Sequence, residues 1–222
     1  MASSPAEIQQ RFISTITDEH LRGFGMCIWA GYPEAHSVCT SHLPRDQAHD
    51  ARGGFRRGLI ERNLKNYARR IPGAVVRQER NAIGSSFHVV IEVGGFRITQ
   101  SQALGPNELI QQANFRDGYA EASQIDLLAD LSPKTTTTTA KWTYVMLLHG
   151  PAATPKQPKF ISAVFPTNDC KGYVYDATIH LFVKYDDLAE AIKTDRTEVI
   201  GDDLMLDLRR MDEAEGDEAA SA

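Results

Sequence analysis

Histidine and cysteine are the residues best suited to metal chemistry, and most of those in this chain lie in its first quarter. His36, Cys39 and His42 are separated by two residues each, and His49 follows. Imidazole nitrogen and thiolate sulfur are preferred zinc ligands, so a turn could fold the first three around one tetrahedral ion, and His49 is a further candidate ligand. The alternative is a set of loop histidines and a cysteine packed with Trp29, because no CxxC pair is present. The sequence predicts no cofactor, and zinc is the one alternative to that prediction.

A second candidate set combines two histidines with two carboxylates: His88, Glu92, Asp176 and His180. Alternating apolar and polar residues predict strands, with His88 and Glu92 on one polar face and Asp176 and His180 on the polar face of a later strand. If these strands adjoin, the four side chains could supply the general acid and base of a hydrolase or nuclease. The alternative is an ordinary sheet face exposed to water.

The third candidate feature is a basic segment. Residues 45–80 carry ten arginines and lysines and four acids, a local charge of +6 in a chain whose net charge is −5. Arginine binds phosphate through paired hydrogen bonds, so a helix bearing several could follow a nucleic-acid backbone or an acidic protein surface. The alternative is a solvated helix face. The residues expected to contact a partner are Arg52, Arg56, Arg57, Lys65, Arg69 and Arg70.

The C-terminus has the opposite charge. Residues 198–222 hold nine acids and two arginines, which predicts a partly disordered acidic tail. This tail could fold back over the basic segment or make a second contact. A further alternative is a subunit of a homo-oligomer that associates through an exposed sheet edge or through Leu204, Leu206 and Leu208.

The composition bounds the class of protein. Hydrophobic residues make up 42% and charged residues 24% of the chain, which supports a core of normal size and argues against global disorder. No segment resembles a membrane span or a secretory signal, and three cysteines are too few for a disulfide framework, so a cytoplasmic protein is expected. The motifs GxxxxGK[ST], GxGxxG, HExxH and GxSxG are absent, which disfavours several large enzyme classes.

The N-terminal elements are predicted to be helical with an irregular interruption. Apolar spacing favours a helix over 5–22, a strand or connector over 24–31, an irregular stretch over 32–50 and a helix over 51–71. Phe55 and Tyr67 fall on the apolar stripe of the last helix. They are therefore assigned to the core, which leaves no aromatic platform for stacking bases.

The remainder is predicted to be mainly a sheet. Gly94-Gly95 between two alternating runs is a strong hairpin signal. The predicted strands are 87–93, 96–104, 141–150, 159–166 and 173–183, with a helix over 106–131, a short helix after Asp186 and another over 202–211. The prediction is one α+β domain over 1–197, mainly helical over 1–72 and mainly sheet over 85–185. An antiparallel sheet of about five strands would carry helices on one face.

Charge segregation and the missing motifs favour a non-enzymatic binding or regulatory protein. Its contact element would be the basic helix, and its partner a nucleic acid or an acidic protein, with no membrane contact. The rival hypothesis is a hydrolase or nuclease that uses the histidines and carboxylates of the sheet.

Overall fold

The computed structural model describes residues 4–80, 87–106, 108, 110, 113–121, 123, 142–152, 154–167 and 169–182. The chain divides into two compact units, 1–181 and 182–222, and the described residues belong to the first apart from Phe182. The predicted helices after 186 and over 202–211, the C-terminal leucines and the acidic tail all lie outside the described residues. The helices are α1 (Pro5–Thr15), α2 (Asp18–His42), α3 (Arg45–Ala68) and α4 (Asn114–Glu121).

The strands are β1 (Val75–Arg80), β2 (Phe87–Val93), β3 (Phe96–Gln102), β4 (Thr143–Pro151), β5 (Pro158–Val164) and β6 (Ile179–Phe182). They form one sheet in chain order, and β3 and β4 pair in parallel. The α+β prediction is confirmed, whereas the predicted antiparallel sheet of about five strands is only roughly right, because the sheet is mixed, although mostly antiparallel. Among the described residues there are six strands. The additional one is the edge strand Val75–Arg80, which the sequence pattern did not predict because most of its residues are polar or charged.

The first predicted helix is two helices. The Ser4 side chain and Glu7 form a capping box at the start of α1, and Thr17 caps the start of α2. Ile16 between them has an extended backbone and is fully buried. The apolar residues therefore keep their spacing across the break between α1 and α2, and burial of Ile16 stabilises that break.

The predicted strand or connector at 24–31 and the irregular stretch at 32–50 are wrong, because helices α2 and α3 form a long antiparallel hairpin there. On α2 the buried residues recur at helical spacing, at Phe24, Ile28, Tyr32, Ala35 and Cys39. Gly31 allows close approach, since a methyl group there would overlap the Ile60 side chain of α3. Burial along this seam outweighs the cost of Pro33 inside the helix.

The hairpin between β2 and β3 is confirmed. Gly94 and Gly95 have φ values of +56° and +81°, which non-glycine residues rarely adopt, and Val93 pairs with Phe96 across the turn. The predicted long strand over 173–183 is instead a one-turn 3₁₀ helix, Tyr175–Ala177, followed by the short β6.

Helices cover both faces of the sheet, whereas the sequence predicts one covered face. Phe12 of α1 packs edge-on against Phe96 of β3, and the α2–α3 hairpin lies on the same face. On the other face, Ala120 of α4 joins an apolar cluster with Tyr144 and Met146 of β4. Within the described residues, no helix is both long enough and apolar enough to span a bilayer.

Candidate functional site

The candidate zinc ligands are spread along two helices. His36, Cys39 and His42 lie on α2 and His49 lies on α3. Cys39 is fully buried in the helix seam, whereas His42 and His49 are exposed. Over the described ranges, no group of three or more histidine, cysteine, aspartate or glutamate side chains is arranged to hold a metal ion.

The structure does not bring the four candidate catalytic residues together. His88 and Glu92 lie on β2, whereas His180 lies on β6 and Asp176 lies in the 3₁₀ helix before it. Strands β2 and β6 are separated by β3, β4 and β5. At the usual strand spacing this is a separation of about 19 Å. The nearest polar partner of His180 is the Ser162 hydroxyl of β5, 3.0 Å from Nδ1.

His88 and Glu92 each have structural partners on the α4 side of the sheet. The His88 ring stacks on Phe115 at a centroid distance of 3.9 Å, and its Nε2 lies 3.2 Å from the Tyr119 hydroxyl. The Glu92 carboxylate is only 2% exposed and pairs with Arg97 at 2.6 Å and Arg77 at 3.1 Å. Glu92 therefore links two arginines across three adjacent strands and offsets one of their two positive charges.

The predicted partner-binding residues divide by exposure. Arg57, Arg69 and Arg70 are exposed, and Arg52 and Lys65 are half-buried. Arg56 is buried: its guanidinium lies 4.6 Å from the centroid of the Tyr32 ring and donates to Gln102 Oε1 at 2.6 Å. Arg56 thus joins both helices to the sheet and does not belong to the outer surface.

A groove of about 520 Å³ runs between α3 and the edge of the sheet, and we call it the α3 groove. The α3 positions recur at helical spacing and face β1 and β2. Four of its lining residues are basic and one is acidic. The lining residues are Gly54, Arg57, Gly58, Glu61, Arg62, Lys65, Asn66, Arg69, Gln78, Phe87 and Val89.

The basic side chains of the groove are held in part by neutral partners. Arg57 donates to the Phe87 carbonyl at 3.0 Å, and Lys65 donates to Gln78 Oε1 at 3.1 Å. Arg62 instead pairs with Glu34 at 2.5 Å. Glu61 of the lining and Glu34, the partner of Arg62, offset two of the four positive charges, so the groove keeps a net positive charge.

Two aromatic rings are exposed, which corrects the assignment of Phe55 to the core; Phe87 lines the groove, whereas Phe55 is not among the groove's lining residues. Phe55 is 44% exposed on α3, and Phe87 is 46% exposed at the start of β2. The Arg80 guanidinium lies 4.9 Å from the centroid of the Phe87 ring. The Phe87 ring thus presents apolar surface beside an arginine.

Two glycines leave the α3 wall of the groove without side chains. Gly54 and Gly58 lie inside α3, where glycine costs about 1 kcal/mol relative to alanine. A methyl group on either would meet no atom within 4 Å, so packing in the described structure does not require them. Their absent side chains do allow a ligand to approach the helix backbone.

Behind the groove, a chain of buried polar groups connects the helices to the sheet. The Tyr32 hydroxyl lies 2.8 Å from His149 Nδ1, and His149 Nε2 lies 2.9 Å from Gln100 Oε1. Gln100 donates to Glu61 Oε1 at 2.8 Å, and the Val89 backbone N–H donates to Glu61 Oε2 at 2.5 Å. Both Glu61 oxygens are thereby satisfied.

Burial shifts the pKa values of His149 and Glu61 in this series of hydrogen-bonded groups. Desolvation, with a smaller contribution from Arg56, lowers the pKa of His149 to about 3. Desolvation also raises the pKa of Glu61, although the hydrogen bonds from Gln100 and Val89 and the charges of Arg57 and Arg116 oppose it. His149 is therefore neutral at physiological pH.

Sequence patterns did not single out Glu61 or Gln100. Glu61 is one of many charged residues on a basic helix, and Gln100 lies in a strand otherwise assigned by its alternating pattern. A usable signal is the run Gln100, Ser101 and Gln102, three polar residues at the end of a strand that the pattern places in the core. Comparisons of the chain with known protein families, with curated proteins and with solved structures found no match.

Proposed function

We propose that this protein is a non-enzymatic binding protein that holds a single-stranded nucleic acid in the α3 groove. Its backbone phosphates would contact Arg57, Lys65 and Arg69, and its bases would stack on Phe55 and Phe87. The observation that carries the proposal is the combination of a basic groove with the exposed ring of Phe87 in its wall, since basic grooves with aromatic rings are the common arrangement of sequence-tolerant single-strand binding.

The aromatic rings favour a nucleic acid over an acidic protein. A carboxylate-rich partner needs only the cations, whereas stacked bases also use Phe55 and Phe87, each close to half exposed. The bare backbone at Gly54 and Gly58 suits a sugar–phosphate chain that runs close to the helix.

The hydrolase or nuclease alternative has less support. It requires His88, Glu92, Asp176 and His180 to act together, and the sheet order separates the first two from the last two. Cytosolic location is also part of the proposal and is supported by three free thiols, Cys27, Cys39 and Cys170. The acidic tail remains a proposed competitor for the groove.

The test is a titration of a fluorescent single-stranded oligonucleotide with the Arg57→Ala/Arg69→Ala double variant over a series of salt concentrations. Losing two phosphate contacts should reduce the slope of log affinity against log salt by about 1.4 and the affinity roughly 25-fold near 0.1 M salt. Phe87→Ala should weaken binding about 10-fold with an unchanged salt slope, because it removes stacking rather than charge.

The matched control replaces Arg22 and Arg45, two exposed arginines that do not line the groove, with alanine. This control should retain most of the affinity and the full salt slope. If both double variants lose affinity equally, binding is a property of net charge and the groove is not the site. If wild-type protein binds no oligonucleotide at low salt, the proposed function is wrong.

A further inference from the structure

A second cavity, of about 350 Å³, lies in a gap between strands β2 and β3, and we call it the strand-gap pocket. The ladder that joins these strands ends at Ile91 and Ile98. Strand β2 nevertheless begins earlier, at Phe87, and β3 continues to Gln102. The residues that line the pocket are Gly53, Arg57, Glu61, His88, Gln100, Ser101, Gln102, Ala113, Phe115, Arg116 and His149.

On the β2 side of the gap, two side chains of α3 take the place of the missing strand. The Val89 N–H donates to Glu61 Oε2 at 2.5 Å. The Phe87 carbonyl accepts from Arg57 Nη2 at 3.0 Å. The β2 backbone groups that point toward β3 are therefore bonded to α3 at these two residues.

On the β3 side, the gap is faced by backbone amide groups. The backbone groups of successive strand residues point alternately to the two neighbouring strands. Those of Ala103 point toward β4, where its N–H donates to the His149 carbonyl at 2.9 Å. Those of Gln100 and Gln102 therefore point into the gap. Because Gln100 is buried, its N–H and carbonyl favour a ligand that offers both an acceptor and a donor.

The side chains of the lining add a donor and little selection for charge. Gln102 Oε1 accepts from Arg56 at 2.6 Å, which leaves the Nε2 group of Gln102 as a donor. The charges of Arg57 and Glu61 are opposite and offset each other. An uncharged ring with carbonyl groups fits these surroundings better than an anion.

The size and position of the pocket suit one base of a bound strand. Its volume is at the lower end of the range of about 300–1,000 Å³ for ligand pockets. His88 and Phe115 stack with their centroids 3.9 Å apart, and Arg116 lies over the Phe115 ring at 5.0 Å, which forms the wall on the α4 side. Arg57 and Glu61 line both this pocket and the α3 groove, so a strand in the groove reaches the pocket.

We infer that the strand-gap pocket binds one uracil or thymine base of the single strand held in the α3 groove. This inference rests on the proposed function. Such a base has a ring N–H between two carbonyl groups, so one edge pairs with the β3 backbone as a neighbouring strand would. A carbonyl oxygen of the base also accepts from Gln102 Nε2, whereas the amino group of cytosine would oppose that donor. The pocket therefore gives the groove a base preference.

The experiment uses short single strands in which every residue except one is abasic. The remaining residue is thymine, N3-methylthymine or cytosine, and a fourth strand is abasic throughout. Wild-type protein should bind the thymine strand about 10-fold more tightly than the other three, the size expected of two hydrogen bonds. Equal binding of the thymine strand and either the N3-methylthymine or the cytosine strand would overturn the inference, because stacking alone would then explain the gain.

Two variants assign the preference to the pocket. Gln102→Glu keeps an oxygen for Arg56 but replaces the Nε2 donor, and it should abolish the preference for thymine over the abasic strand. Phe87→Ala removes the ring in the groove wall and should preserve that preference. If Phe87→Ala loses the preference and Gln102→Glu keeps it, the base stacks in the groove and the pocket is not its site.

The control Arg22→Ala/Arg45→Ala should keep the thymine preference. Gln102 is exposed at the end of β3, and circular dichroism with thermal unfolding establishes that each variant keeps the fold. Equal binding of all four strands rejects the pocket alone. Failure of wild-type protein to bind an ordinary oligonucleotide at low salt rejects the proposed function itself, so the two failures are distinct.

Discussion

Two clusters of arginines lie on opposite faces of the same sheet, and they differ in how their charge is compensated. On the α4 face, Arg77 and Arg97 both pair with the buried Glu92. In the α3 groove, Arg57 bonds to a backbone carbonyl and Lys65 to a glutamine amide. Among the described residues, no carboxylate forms an ion pair with Arg57, Lys65 or Arg69.

This difference separates a structural cluster from a binding surface. A buried carboxylate with two arginine partners offsets one of their two positive charges, which weakens the external field of that cluster. Cations held by neutral groups keep their field and attract an anionic partner. The number of arginines in a segment is therefore a weaker guide to function than the identity of their partners.

The largest expected effect tests the structural cluster. Glu92→Ala should lower the free energy of unfolding by about 3–5 kcal/mol, because it leaves Arg97 as an uncompensated, largely buried charge. The measurement is urea denaturation followed by circular dichroism. The control Glu34→Ala breaks the partly exposed pair with Arg62 and should cost only about 0–1 kcal/mol. A Glu92 variant of wild-type stability that had lost a hydrolytic activity would instead identify Glu92 as catalytic.

Two adjacent arginines of α3 give the next largest contrast. Arg56→Ala should lower the free energy of unfolding by roughly 2–3 kcal/mol, through loss of the cation–π contact with Tyr32 and the hydrogen bond to Gln102. Arg57→Ala should change stability by about 0.5 kcal/mol or less and weaken oligonucleotide binding. Comparable stability losses in both variants would show that position in the groove does not separate the two roles.

The buried histidine behind the groove predicts a pH dependence of stability. The pKa of His149 in the folded protein is about 3, below the unfolded value, so the unfolded state binds the extra proton first. Stability should therefore fall as pH decreases from about 6.5 toward 3, by up to about 1.4 kcal/mol per pH unit. The raised pKa of Glu61 acts in the opposite direction, since its stabilising contribution is lost as pH rises.

Urea denaturation across this range, repeated with His149→Gln, isolates the histidine. The variant keeps a polar group between Tyr32 and Gln100 but does not titrate. Between pH 6.5 and pH 5, the variant should lose about 2 kcal/mol less of its free energy of unfolding than the wild-type protein loses. A variant with the same pH profile as wild type would show that other groups cause the acid sensitivity.

The smallest effect concerns the bare wall of the groove. Gly54→Ala and Gly58→Ala should each stabilise the protein by about 0.5–1 kcal/mol through helix propensity, and each should weaken oligonucleotide binding by narrowing the groove. Gly118→Ala is the matched control, because Gly118 also lies within a helix with no atom within 4 Å of an added methyl group. Thermal unfolding should show that the Gly118→Ala variant is more stable than the wild type, and titration should show that it binds the oligonucleotide with unchanged affinity.

Local patterns predicted some elements well and others poorly. The hairpin at Gly94-Gly95 follows from backbone conformations that glycine favours, so neighbouring residues alone determine it. The helix hairpin from α2 to α3 is different. Pro33 and the polar residues around it disfavour a helix locally, and only burial of Tyr32, Ala35 and Cys39 against the partner helix stabilises one there.

The amino-acid sequence by itself determined the excess of basic residues over 45–80, the α+β class and the tight hairpin, because composition, periodicity and glycine conformation are local properties. Only the tertiary structure decided which arginines are neutralised, which lie in a groove and which phenylalanines are exposed. Those outcomes depend on contacts between distant segments, such as Arg56 with Tyr32 and Glu61 with Gln100. The sequence determines the sign of each side chain's charge, whereas tertiary packing determines which charges are offset by a partner.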